Sequence, residues 1–182
     1  MKYLLLFIVL LFSAESTAIS PAQRPQQVLL ESGLLTMFAQ KLIADTTSAD
    51  SLTQVWAKGF YKRLYREFYS YKPKKKYCRQ LQSLWPGVQI RVIGGNWCSD
   101  TRREVPRLLK VLDESGFPSR AFEYYRVNRE KKPADSGFVC EVTIQSVPAI
   151  YVLRNGKTVG KIEETPKRTL ESDLLKILRT SL

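Results

Sequence analysis

The residues able to do chemistry in this 182-residue chain are few, and their types narrow the choice. Histidine is missing, so no imidazole can serve as general base or metal ligand. Three cysteines, Cys78, Cys98 and Cys140, stand far apart. That inventory removes Cys–His nucleophile pairs and the usual zinc ligand sets, and no acidic cluster suggests a carboxylate site. Neither a metal nor a cofactor is expected, and thiol chemistry is what remains. Its clearest candidate is Cys98, within "GGNWCSDTRREVP", residues 94–106. Many redox proteins open a helix with C-x-x-C, but the fourth position here is Thr101, so no disulfide can close inside the motif.

At a helix start, unpaired backbone N–H groups and the helix dipole favour an anionic sulfur on Cys98. Thr101, three residues on, is expected to aim its hydroxyl back at that sulfur. Arg102 and Arg103 add positive potential, whereas Asp100 opposes it and equally suits any first helical turn. Trp97 would shield the sulfur and offer apolar surface to a peptide. A lone thiol can attack a disulfide through a mixed-disulfide intermediate, but a second, external thiol must then free it. The alternative is that Cys98 is only a small apolar side chain. Cys78 and Cys140 read as half-buried and core residues respectively. A Cys78–Cys140 disulfide would leave Cys98 as the single free thiol, whereas a Cys98–Cys140 disulfide would make Cys140 a distant resolving cysteine; spacing alone leaves both open.

The elements that must position Cys98 emerge from pattern. The chain starts with Lys2, an apolar run from Leu4 to Phe12, and a small-residue segment ending at Ala18. This reads as a signal peptide over residues 1–18, too short to span a bilayer, and implies export to the periplasm or beyond. No later stretch reads as a transmembrane segment. In an oxidising compartment an odd cysteine count leaves at least one thiol unpaired or cycling. The formal charge is +12, concentrated in "YKPKKKYCR", residues 71–79. A basic run flanked by tyrosines could hold phosphates and stack bases. No nucleic-acid motif accompanies it, so a solvated basic loop is expected and nucleic acid is not.

Residues 19–87 read as a helical extension packed on the C-terminal half of the chain. Leu52, Trp56, Phe60, Leu64 and Phe68 recur every four residues, with Lys58, Lys62, Arg63, Arg66 and Glu67 expected mainly on the opposite, polar side. "YCRQLQSLW" gives one more short helix. From residue 88 the texture changes to β-α-β-(α)-β-β-α. "VQIRVIGG" predicts a central strand, residues 99–115 a helix continuing through Pro106, and "AFEYYRV" a second strand. A short apolar segment comes next, around Phe138–Val142. "AIYVLR", Asn155-Gly156 and "KTVGKIEE" predict a hairpin, and "TLESDLLKILR" a final helix beginning at Thr169. The fold class is therefore α/β.

Together these features resemble the thioredoxin superfamily. A β-rich strand leads into Trp97-Cys98 at a helix opening, Pro106 stands eight residues after the cysteine, and "SVPAIYVLRNG" comes about fifty residues on. The resemblance covers residues 88–180 and implies a central mixed sheet flanked by helices, with residues 88–182 as the thioredoxin-like domain. "WCSDTRREVPRLL" is further similar to an exported thioredoxin-like group of Bacteroidetes-type bacteria with one active-site cysteine. It implies a cis bond at Val147–Pro148, and with it a backbone ledge beside Cys98 where an extended substrate would bind. The implied catalytic residues are Cys98 and Thr101, and the implied substrate contacts Trp97, Val147 and Pro148. The chain departs from dithiol thioredoxins at Thr101 and at Val92, which replaces a buried aspartate; without a resolving thiol there is no proton for that aspartate to move. Two functions are implied: a monothiol oxidoreductase acting on protein or small-molecule disulfides with an external thiol reductant, or a redox-silent module holding an extended peptide in the groove around Trp97 and Pro148.

Overall fold

The β-branched run "VQIRVIG" forms strand β1, Val88–Gly94, in the interior of the sheet. The computed structural model describes residues 33–35, 37–38, 62–133 and 144–181. The expected signal peptide, the apolar positions Leu52, Trp56 and Phe60, and the segment containing Cys140 lie outside these residues. Strands β2 (Phe122–Arg126), β3 (Ala149–Arg154) and β4 (Lys157–Glu163) complete a four-stranded mixed sheet in the order β2-β1-β3-β4. β2 runs parallel to β1, and β3 and β4 continue antiparallel. Asn155 and Gly156 join the last two with φ of +51° and +79°. Positive φ at both central residues is what a tight hairpin turn requires, and Asn-Gly adopts it at little cost.

Helices α1 (Lys75–Gln82), α2 (Ser99–Glu114) and α3 (Leu170–Thr180) flank the sheet, and residues 33–35, 37–38 and 62–70 are also helical. α2 runs unbroken past Pro106, as its buried Val105, Leu108, Leu109 and Leu112 require. Thr169 caps α3, its hydroxyl accepting from the Ser172 amide at 3.3 Å. At Gly160 an added Cβ would lie 2.5 Å from Ile177, so the glycine lets α3 approach β4 closely.

Alternation along the strands sorts two apolar clusters. Ile90, Val92, Ile150 and Val152 join the inner faces of all three helices in the main core. Leu34, Leu35, Phe38, Leu64, Phe68, Leu81 and Trp85, which precede the sheet in sequence, belong to the same cluster. Ile93, Val127, Ile144, Val147 and Ala149 form a smaller one. No helix among the described residues is long and apolar enough to cross a membrane.

Two expectations change. The basic run is not simply a loop: Lys75 and Lys76 open α1, although Lys72, Lys74, Lys75 and Lys76 are exposed as expected. Burial of Cys78 and Leu81 on the inner face draws these lysines into the helix. Glu67 does not belong to a solvated face. It is buried, and its carboxylate accepts from Arg107 at 2.9 Å.

Candidate functional site

The register of the sheet builds the site. Ile93 pairs with Ala149 on one side and Tyr125 on the other. Continuing that antiparallel register brings the chain leaving β1 alongside Val147 and Pro148 as they enter β3. On the β2 side, the Val127 amide donates to the Gly94 carbonyl at 3.0 Å. The chain then turns, with the Cys98 amide donating to the Gly95 carbonyl at 2.9 Å.

Cys98 is the N-cap of α2, with extended φ of −81° and ψ of 129°, and its carbonyl accepts from the Arg102 amide at 3.2 Å. Its side chain is half-buried. The thiol Sγ lies 3.2 Å from the Val147 carbonyl oxygen and donates to it. The Val147–Pro148 bond is cis, an isomer found at about 5–6% of X–Pro bonds. The Pro148 carbonyl is held by the Glu164 amide at 2.8 Å, leaving the Val147 carbonyl to face the sulfur.

Trp97 forms one wall. Its Nε1 donates to the Val127 carbonyl at 3.1 Å, and the indole lies so close over Gly95 that an added Cβ would meet Nε1 at 2.5 Å. The Arg129 guanidinium sits 5.7 Å from the ring centroid. Trp97 and Cys98 both pack against the cluster of Ile93, Val127, Val147 and Ala149. Strand ends and turn thus bring Trp97, Cys98, Val147 and Pro148 together.

Thr101 plays a different part from the one expected. It is fully buried, and its Oγ1 accepts from the Gly95 amide at 3.4 Å instead of turning to the sulfur. Gly95 has left the sheet ladder, and a buried amide without an acceptor is costly, so the hydroxyl satisfies it. Thr101 therefore secures the loop from β1 to α2. Of the charged side chains nearby, Arg103 and Asp100 are also committed elsewhere. Arg103 bonds Asp100 at 2.8 Å and Glu104 at 2.6 Å.

The sequence pattern missed a buried ionic network behind the site. Glu104 and Glu67 both face Arg107, at 3.7 and 2.9 Å. Arg107 also lies 5.6 Å from the Tyr71 ring centroid. Tyr71 donates to buried Glu171 at 2.8 Å; burial first, then Glu171, pushes its hydroxyl above the ordinary tyrosine range. A carboxylate in an apolar helical pattern was the only signal in the sequence.

Cys78 and Cys98 are both free thiols in different settings. Burial pushes the Cys78 thiol up to about 11, with the Glu114 charge adding to it. Its electrostatic neighbours Lys110 and Glu114 lie near the C-terminal end of α2. Cys98 caps the other end, roughly 20 Å away at 1.5 Å per helical residue. The two cannot pair, because disulfides need Cα atoms within about 7 Å. Among the described residues no group of three or more His, Cys, Asp or Glu could hold a metal. No protein-family model matches the chain, and comparison with curated proteins gives no match. The geometry around Cys98 is what bears on its chemistry.

Proposed function

We propose that this is an exported, thioredoxin-like monothiol oxidoreductase acting through Cys98. The observation that carries the reading is the half-exposed Sγ at the head of α2, 3.2 Å from the Val147 carbonyl and next to a cis proline. The Cys98 thiolate attacks one sulfur of a substrate disulfide. That S–S bond breaks, the other substrate sulfur leaves as a thiolate and takes a proton from water, and a mixed disulfide forms. One external thiol displaces the reduced substrate and becomes joined to Cys98. A second releases Cys98 and departs with the first as an oxidised disulfide. The two external thiols thus supply the two electrons that the substrate disulfide gains. Trp97 and the Val147–Pro148 ledge hold the substrate's chain, with the Val147 carbonyl passing from the thiol to a substrate amide.

A second reading, the redox-silent peptide-binding module, is favoured by one specific contact: Thr101 Oγ1 accepts from the Gly95 amide, and among the described residues Thr101 makes no hydrogen bond to the sulfur. Incubation with glutathione disulfide followed by intact and peptide mass spectrometry separates the two. The oxidoreductase forms a glutathione adduct at Cys98 faster than at Cys78, and dithiothreitol removes it; Cys98→Ser forms none there. A folded protein whose Cys98 neither forms the adduct nor reacts with iodoacetamide would end the redox proposal and leave the binding module.

A further inference from the structure

β4, the loop from Thr165 to Thr169 and α3 enclose an open groove of about 910 Å³. It is large enough for a ligand, since small-molecule sites commonly hold about 300–1,000 Å³. Lys161, Lys167, Arg168, Lys176 and Arg179 line it and are all exposed. Two acidic residues share the lining, Glu163 and Asp173. Glu163 already pairs with Lys161 at 3.0 Å. The Asp173 carboxylate accepts the backbone amides of Lys167 and Arg168 at 2.6 and 3.4 Å, so it neutralises neither side chain directly. Among the described residues Lys167, Arg168 and Lys176 have no ion-pair partner, and Arg179 bonds only the neutral Gln80 at 3.2 Å.

The cations are strung out, not gathered. Lys167 and Arg168 lie before the start of α3, Lys176 within it and Arg179 near its end. From Ser172 to Thr180 the helix wall is about 12 Å long at 1.5 Å per residue. An extended chain rises about 3.3 Å per residue, so roughly four residues fit along it. The same groove is lined by half-buried Ile177 and Tyr77, with buried Ile162 and Leu175 beneath them, a small apolar surface between the charges. β4 is the last strand in the sheet order, and an edge strand can offer backbone donors and acceptors to an added chain.

We propose that this groove binds an extended, acidic peptide segment whose apolar side chains alternate with its carboxylates. Phosphate polymers match the charge but leave the apolar lining without a partner. A groove walled by β4 and α3 fits a single extended chain, whereas a flat bilayer would not reach its floor. The site is separate from Cys98 and stands whether or not that thiol is active.

Fluorescence anisotropy of the purified chain with a fluorescein-labelled peptide of four alternating Glu-Leu pairs tests it. Binding is expected, weakening as salt rises, and the same length of Ser-Leu should bind at least tenfold more weakly. Lys167→Glu/Arg168→Glu/Lys176→Glu should lose at least tenfold in affinity for the acidic probe and gain affinity for the matching Lys-Leu probe. Because all three positions are exposed, circular dichroism should show the variant folded; the milder triple change to Gln, with a smaller loss in the same direction, provides a second reading. Equal binding by parent and variants would overturn the proposal. So would equal affinity for a Glu-Gln probe, or tighter binding of polyphosphate or oligothymidylate at equal charge.

Discussion

At the residue scale, two free thiols of identical intrinsic chemistry are set apart by where α1 and α2 place them. Burial in α1 holds the Cys78 proton, raising it from an ordinary 9.0 to about 11. The charged form is the one disfavoured by folding, so the stabilisation is complete below about pH 9 and is lost as pH rises toward 11. Urea unfolding at pH 8 and pH 10.5 should therefore show the parent losing more stability over that interval than Cys78→Ala, which has no thiol to titrate. Equal losses would show that the thiol ionises as freely in the folded chain as in the unfolded one. The placement of Trp97 and Cys98 at the opening of α2 was legible in the sequence because it depends on near neighbours along one turn. Thr101 was legible as a first-turn residue of α2 but not in its orientation. The competing acceptor need, the Gly95 amide, arises only once β1 ends and the loop closes over it.

At the element scale, the strongest device is the ionic network that ties helical residues 62–70 to α2. The Glu67 and Glu104 side chains are only 11% and 5% exposed; Glu67 depends chiefly on Arg107 at 2.9 Å, whereas Glu104 is held first by Arg103 at 2.6 Å and keeps that partner if Arg107 is lost. Removing one partner of a buried pair strands a charge, costing up to about 3–5 kcal/mol in fully buried cases. Arg107 is 31% exposed, so Arg107→Met should cost somewhat less, about 2–4 kcal/mol. Adding Glu67→Gln should recover part of that loss, because the amide no longer needs a cation. Strict additivity of the two changes in denaturant melts would show that the contact carries no coupling. The hairpin at Asn155-Gly156, the cap at Thr169 and the helix through Pro106 could all be read from sequence, since each is decided within a few residues. The network joins positions about forty residues apart, and no periodicity reports that. It also corrected the polar face assigned to Glu67.

At the scale of the whole molecule, the strand–helix pattern gave the α/β class, the resemblance implied the mixed sheet with its flanking helices, and the residues before the boundary at residue 88 were expected to pack on it. Leu64, Phe68, Leu81 and Trp85 precede that boundary, and they are buried in one cluster with Ile90, Val92, Leu112 and Leu174. Burying each such side chain contributes roughly 1.5–3 kcal/mol, so the four together contribute on the order of 6–12 kcal/mol. Domains are stable by only about 5–15 kcal/mol. Trp85 further donates to the Ser115 carbonyl at 2.9 Å, satisfying the C-terminal end of α2 from the helical side. A chain cut to residues 88–182 should consequently lose most of its margin even though it retains every described strand. It should expose the apolar surface of α2 and α3 that the earlier helices cover, bind anilinonaphthalene sulfonate, and melt without a cooperative transition, while residues 19–182 melt cooperatively. A sharp thermal transition and low dye binding for residues 88–182 alone would show that the sheet and its remaining helices suffice. It would make the earlier helices an accessory layer and not part of the folding unit. Glutathione adduct formation at Cys98 in the shortened chain would then report whether the site needs them: α2 positions Cys98 through its N-terminus, and Arg107 is where the earlier helices grip α2.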